Sequence, residues 1–377
     1  MTPICFVTTS PLIVNAFLAP HLRHLSSRYA VSLAVTLPGE VPLRPLPGVE
    51  VLSLPIRRPI APLQDVLALR QLYALFTRRH FALVHSFAPK AGLLASWAGQ
   101  AAGVPKRVHT FTGQVWASRR GLMRQVLRAT DRLTARAATH LLADSASQRD
   151  FLVGEGIVPD WKCRVLADGS VSGVDTARFR PDAAARATVR RELELDGDAL
   201  VIVYIGRITR DKGVIDLAGA FAALSAQFPR AALLLVGHDE DALGPALLSA
   251  AGEAAGKLRI VGYTAAPERY LAAADMLCLP SYREGFGSVV IEAAAAGLPA
   301  VASRIYGITD AVVEGKTGLL FRPGNSADLS VQLGVLLKDE RLRTALGNAA
   351  RDRALGMFAE SRLTAALADF YRSLLAP

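Results

Sequence analysis

Two stretches of the chain carry residue types that could do chemistry. The richer one is Pro280-Ser281-Tyr282-Arg283-Glu284-Gly285-Phe286-Gly287-Ser288-Val289-Val290-Ile291-Glu292. It follows the apolar run Met276 to Leu279 and leads into an alanine-rich segment, so it reads as a loop between a buried strand and a helix. Gly285 and Gly287 permit a sharp turn and close approach of the backbone to a ligand. Ser288 is placed to cap the helix, whose free N–H groups would face an anion. Glu284 precedes the turn, and Glu292 lies about one helical turn inside. An anion cradle between two carboxylates suits a molecule with phosphate in the middle and a hydroxylated ring at each end. The same residues also fit a plain glycine turn whose first-turn glutamate complements the helix dipole, worth ~0.3–1 kcal/mol.

The second stretch is Gly206-Arg207-Ile208-Thr209-Arg210-Asp211-Lys212-Gly213. The apolar run Leu200 to Ile205 feeds into it, and a helix is expected from Val214. Arg207 and Lys212 then sit at the C-terminal edge of a strand, where open α/β sheets bind ligands. Arginine forks onto a diphosphate and lysine adds a point charge; together they would stabilise a departing nucleoside diphosphate. A solvated polar loop is the alternative.

The elements that must position these loops alternate along the chain. Ile4 to Thr8, Val31 to Val35, Val49 to Leu52, Leu83 to His85 and Arg107 to Phe111 read as strands, with helical patterns at Leu63 to Arg78 and Gly92 to Gln100. Leu200 to Ile205, Ala232 to Val236, Leu258 to Val261, Met276 to Leu279 and Pro299 to Ala302 repeat the rhythm. The expectation is two α/β domains with parallel, doubly wound sheets. The boundary is expected near Gly169 to Ala185, giving domains 1–180 and 181–360, with a closing helix from Ser361 to Leu375 after a break at Gly356.

Composition agrees. A chain of 377 residues, 51% hydrophobic and 20% charged, is too apolar for disorder and long enough for two cores. Three scattered cysteines (Cys5, Cys163, Cys278) form no Cys-x-x-Cys, which argues against a zinc ribbon or disulfide framework and for a reducing cytosol. Met1 to Leu22 carries no Lys, Arg, Asp or Glu, yet it lacks a basic n-region and is broken by Pro3, Pro11 and Asn15, so it reads as strand, loop and helix start rather than a signal peptide. No membrane span is expected.

Taken together, Gly206-Arg207, Lys212-Gly213, Pro280-Ser281, Glu284-Gly285-Phe286-Gly287, Glu292-Ala293 and Ala296-Gly297-Leu298-Pro299 resemble the family-4 retaining glycosyltransferases of the GT-B fold. Their acidic pair, Glu-x7-Glu, matches Glu284 and Glu292, and Gly315 to Leu320 looks like the strand after that site. The resemblance implies two Rossmann-like domains facing a central cleft, with the final helix (361–377) packing back onto the N-terminal acceptor domain. It implies that Arg207 and Lys212 hold the donor diphosphate. Glu284 would contact the donor sugar and Glu292 the ribose, while the backbone of Gly285 to Val289, including Phe286, Gly287 and Ser288, binds sugar hydroxyls and phosphate. His109 looks like the family's N-domain histidine near the transferred sugar; its alternative is a satisfied core histidine. The linker Gly169 to Asp175, and Val84-His85-Ser86 with Pro89-Lys90-Ala91-Gly92, resemble members that build capsule and lipopolysaccharide. His85 and Lys90 are therefore acceptor-side candidates. The loop Thr8-Thr9-Ser10-Pro11-Leu12 departs from the family's glycine-rich loop; hydroxyls of Thr9 or Ser10 are candidates to replace it.

The expectation is a cytoplasmic glycosyltransferase that moves a sugar from a UDP-linked donor, with no metal or other cofactor, to a glycan or lipid-linked acceptor. The alternative is a silent sugar-nucleotide-binding or membrane-docked scaffold. Asp196-Gly197-Asp198 and Asp239-Glu240-Asp241 match a metal motif of another fold but read as solvated turns. Residues 1–180 hold 22 Lys/Arg against 10 Asp/Glu, and Arg120, Arg124, Arg128, Arg132 and Arg136 recur every four residues. That stripe is expected to meet anionic lipid at the inner face of the cytoplasmic membrane, at about 1 kcal/mol per arginine. Nucleic acid is not expected, since no stacking motif or helix-turn-helix accompanies the charge.

Overall fold

The computed structural model describes residues 1–39, 41–56 and 61–376. The chain divides into two compact units: Met1–Ser172 joined by Glu360–Pro377, and Gly173–Ala359. The crossing at Ser172/Gly173 lies inside the glycine-rich segment expected to hold the boundary, eight residues before the expected position after residue 180.

The first unit is built on seven parallel strands: β1 Pro3–Val7, β2 Ala30–Val35, β3 Val49–Ser53, β4 Leu83–Phe87, β5 Lys106–Phe111, β6 His140–Ala143 and β7 Cys163–Val165, in the order β3-β2-β1-β4-β5-β6-β7. β1 shows how sequence makes such a strand. Its side chains alternate, with Ile4 and Phe6 in the core on one face and Cys5 and Val7 in the core on the other. On the first face lies the C-terminal helix Glu360–Leu375, which buries Leu363, Leu367, Phe370 and Tyr371 in this unit. The preceding helix, Glu340–Met357, ends one residue past Gly356, so the expected break falls at Phe358 and Ala359. β6 and β7, short and flanked by polar residues, were not among the strands read from periodicity.

The second unit has six parallel strands: β8 Leu200–Ile205, β9 Ala231–Val236, β10 Leu258–Val261, β11 Met276–Leu279, β12 Ala300–Ser303 and β13 Gly318–Phe321, in the order β10-β9-β8-β11-β12-β13. In both sheets the order reverses direction beside the first strand, between β1 and β4 and between β8 and β11. At such a switch point the loops that leave the two strands diverge to opposite faces and open a crevice. In the second unit those loops are Gly206–Gly213 and Pro280–Gly287, the two chemically rich stretches.

Candidate active site

Pairing of β8 with β11, with Leu277 opposite Val203, brings the two loops side by side although 67 or more residues separate them in sequence. Tyr282 N–H donates to the Asp211 carbonyl at 3.0 Å. Gly213 lies so close to β11 that a Cβ would fall 2.1 Å from the Pro280 oxygen, and its φ of +68° is one that L side chains rarely adopt.

The loops exchange charges. Lys212 Nζ donates to Glu284 Oε1 at 2.5 Å, and Ser281 Oγ donates to the same oxygen at 2.8 Å. Both charged side chains are about 16% exposed, so the pair sits at the rim of the crevice within reach of a ligand. Arg207 Nη1 donates to Glu240 at 2.8 Å, and Arg283 pairs with Asp211 at 2.6 Å. Tyr204 OH donates to the Arg207 carbonyl at 2.6 Å, fixing the backbone as it leaves β8. The cations are thus held in place by carboxylates. Glu240 lies in the second Asp-x-Asp-like stretch. There Asp239 accepts from the Leu243 and Gly244 N–H groups of its own loop, and Asp241 accepts from the Arg210 N–H of the Gly206–Gly213 loop. Sequence reasoning missed Glu240, Asp211 and Ser281 as partners of the site, because only folding brings β9's loop and the Pro280 turn against Gly206–Gly213.

The helix after the turn spans Ser288–Ala295. Its N-cap is Gly287, at φ +80°, and no side chain caps it. Ser288 is therefore the first helical residue and not the cap that was expected: left-handed Gly287 takes the boundary position. Of the two glycines only Gly287 uses a positive φ. Gly285 and Phe286 are buried, while Ser288 and Val289 are half-buried. Glu292 is also half-buried. Desolvation of its carboxyl, reinforced by Glu268 and opposed by Arg178, raises its pKa to about 7. Arg178 itself pairs with Glu268 at 2.7 Å.

The remaining candidates lie in the first unit. His109, on β5, is 1% exposed; its Nδ1 is 3.0 Å from Ser86 Oγ, and a Cβ on Gly92 would fall 2.3 Å from its Cε1. Burial lowers its pKa to about 3, so it is a neutral, packed histidine at physiological pH, with Nε2 bonded to none of the described residues. His85 is corrected from acceptor-side candidate to core residue. It is fully buried, with Nδ1 2.6 Å from Tyr371 OH and Nε2 2.7 Å from Thr110 Oγ1, so both ring nitrogens are occupied. Lys90 is clamped by both oxygens of Asp65, at 2.7 and 2.9 Å. Ser10 accepts from the Leu12 N–H at 3.1 Å as the N-cap of the helix opened by Pro11, so its hydroxyl already has a structural task. Thr9 is buried beside it, at the switch point of the first sheet.

The arginine stripe needs the largest correction. On the helix Gly121–Ala137, Arg124 and Arg128 pair with Glu155 at 3.1 and 2.8 Å, and both guanidinium groups lie over the Trp116 ring at 5.5 Å. Arg132 donates to the Glu155 and Gly156 carbonyls. Three of the five arginines therefore cap the end of the neighbouring helix Ala146–Gly154, and only Arg120 and Arg136 are exposed. The helix instead exposes Leu122, Met123 and Val126.

Two doubly wound units, with a cation-and-carboxylate crevice at a switch point and an uncapped helix start beside it, define a GT-B glycosyltransferase. Comparison with known proteins gives the family. Residues 185–353 match the glycosyl transferases group 1 and residues 18–169 the glycosyl transferase 4-like domain. The chain belongs to the group 1 glycosyltransferases. It is 26% identical over 324 residues to the capsular polysaccharide biosynthesis glycosyltransferase CapM of Staphylococcus aureus, covering 85% of this chain and 84% of that one. It is 39% identical over 193 residues to the D-inositol 3-phosphate glycosyltransferase of Corynebacterium jeikeium, covering 48% of this chain and 46% of that protein. Among solved structures, HepE of Anabaena in complex with UDP and glucose superposes with a TM-score of 0.82 at 18% identity, over 99% of this chain and all of that one. The protein is a glycosyltransferase.

Proposed function

We propose that this enzyme transfers a sugar, with retention at the anomeric carbon, from a UDP-linked donor to a hydroxyl of a glycan or lipid-linked saccharide in cell-surface polysaccharide synthesis. The observation that carries the donor site is the 2.5 Å contact between Lys212 and Glu284, which joins the two loops at the switch point beside the start of helix Ser288–Ala295. In this reading the diphosphate takes the Lys212 ammonium and the Arg207 guanidinium away from Glu284 and Glu240. Charge developing on the leaving phosphate is then met by two cations and the first-turn N–H groups, and the reaction needs no metal. Glu284, released from Lys212, accepts hydrogen bonds from the donor sugar, and Glu292 accepts from the ribose diol. HepE, solved with UDP and glucose, supports the choice of base, and CapM supports the acceptor class.

Membrane docking keeps Arg120 of the stripe and rests otherwise on different residues. The exposed face of Leu122, Met123 and Val126, flanked by Arg119 and Arg120, would lie in an anionic interface at the inner leaflet, apolar side chains inserted and guanidinium groups at the phosphates. Among the described residues no helix is long and apolar enough to cross a membrane. Flotation with anionic vesicles tests this: Leu122→Ser with Val126→Ser should abolish co-flotation, and equal flotation of the variant would overturn it.

The central experiment incubates the protein with a panel of UDP- and GDP-sugars and measures released nucleotide. Turnover with a UDP-sugar, reduced at least a hundredfold in Glu284→Ala while UDP affinity changes less than tenfold, is the expected result. Preference for a GDP-sugar would overturn the base assignment. Unchanged turnover in Glu284→Ala would remove that residue from the site.

A further inference from the structure

Behind the turn that carries Gly285 to Ser288 stands an aromatic ring. Phe286, 2% exposed, meets Phe358 edge-on, with centroids 5.2 Å apart. Phe358 is fully buried and stands at the end of helix Glu340–Met357, two residues before the chain enters the C-terminal helix of the first unit. Its carbonyl accepts the Val174 N–H at 2.7 Å, and Val174 and Ala359 form a parallel bridge. The two segments by which the chain enters and leaves the second unit are therefore joined at Phe358. Gly173 packs so tightly there that a Cβ would fall 2.5 Å from the Phe358 oxygen.

A second line of contact returns to the turn. The Arg353 guanidinium lies over the Phe358 ring at 4.7 Å and donates to the Asp310 and Ala311 carbonyls, at the end of helix Ile308–Ala311. The N-cap of that helix, Gly307, lies where a Cβ would come within 2.5 Å of the Gly285 oxygen. The contacts form a closed circuit: Phe286, Phe358, Arg353, the short helix, Gly307, Gly285. A small cavity borders the Phe358 ring, lined also by Val290, Ile291, Thr317 and Ala354.

We propose that Phe358 is a positioning residue for the transfer reaction, reporting the state of the Phe286 turn to the paired chain crossings at Val174 and Ala359. Phe358 touches neither donor nor acceptor; it acts through Phe286. A ligand that fixes the turn biases the ring, and the ring biases both crossings, because a packed contact of this kind prefers discrete arrangements to continuous deformation. The proposal rests on the reading that the Phe286 turn binds the donor.

The test compares Phe358→Leu, Phe286→Leu, their double variant and Arg353→Met in the full chain, each first shown to keep the wild-type thermal midpoint within a few degrees. Dissociation constants for UDP are measured by calorimetry, and turnover with the best nucleotide sugar of the panel at saturating donor. The expected result for Phe358→Leu is at least a tenfold loss of kcat with UDP affinity within threefold of wild type. Arg353→Met should show the same split more weakly, and the double variant should be no worse than the poorer single one. Parallel loss of affinity and kcat, or multiplicative losses in the double variant, would overturn the proposal. A wild-type protein that binds no nucleotide overturns the donor reading itself, and this inference with it; that outcome is seen before any variant is made.

Discussion

Replacing Asp144 with asparagine should remove an alkaline loss of stability from the first unit. Asp144 follows β6, is 5% exposed, and has Oδ1 buried without a partner; it lines a small cavity with His21, His85, Thr110 and Ser170. Burial raises its pKa from 3.8 to about 8. The folded state then keeps a proton that the unfolded chain has released, so stability falls as pH rises through that window. Buried neutral histidines act oppositely: burial lowers His21 to about 4 and His109 to about 3, and lowers His85 well below its usual value. The unfolded chain gains those protons below about pH 6.5, so their effect is a loss of stability as pH falls. The opposing slopes place maximum stability near neutral pH. Between pH 6.5 and 8 ionisation of Asp144 costs about 1.6 kcal/mol, partly offset by the unfolded chain's histidines, which are half protonated at pH 6.5 and lose those protons over the same range. In a unit of this size the Asp144 contribution is about 3–6 °C in Tm. All three tryptophans, Trp97, Trp116 and Trp161, lie in the first unit, so fluorescence-detected melting reads this unit alone. Stopping at pH 8 excludes Cys5 and Cys163, whose thiols burial pushes up. Relative to wild type, Asp144→Asn should gain about 3–6 °C in Tm between pH 6.5 and 8. Parallel wild-type and variant curves over that range would refute the reasoning.

Three further outcomes are expected. With burial raising Glu292 to about 7, and on the proposed reading that its carboxylate accepts both ribose hydroxyls, affinity for a UDP-sugar of the panel should rise by about tenfold from pH 6 to 8; Glu292→Gln should flatten that profile, and a profile that survives would exclude Glu292 from the ribose subsite. Gly213→Ala forces a Cβ 2.1 Å from the Pro280 oxygen at a positive φ, and should destabilise the second unit by about 2 kcal/mol or more, read in chemical denaturation by circular dichroism. Tyr371→Phe deletes the partner of His85 Nδ1 and should cost about 1–3 kcal/mol in the first unit, with tryptophan melting as the readout; a neutral result would mean that the buried imidazole finds another partner.

The strands were readable wherever burial on both faces made a continuous apolar run. Leu200 to Ile205 was located to the residue, whereas β6 and β7 were missed because their few residues sit among His140, Lys162 and Arg164. Charge spacing misled in the helix Gly121–Ala137. A four-residue repeat of arginines looks the same whether it faces water or a neighbouring helix end, and only the position of Glu155 separates the two. His85 misled for a similar reason: an imidazole in a motif carries no mark of the Tyr371 hydroxyl, 286 residues away, that satisfies it.

What the residues determined by themselves was local: apolar runs that must be buried, glycines where the backbone turns, and acidic and basic types able to meet sugars and phosphate. Those follow from side-chain chemistry and from the period of the chain, which need no partner. Which charges meet was decided by strand order. Placing β11 beside β8 rather than beside β10 brings Glu284 onto Lys212, across 72 residues of intervening chain. Long-range pairing of this kind depends on how whole sheets bury their faces, and a motif read along the chain does not contain it.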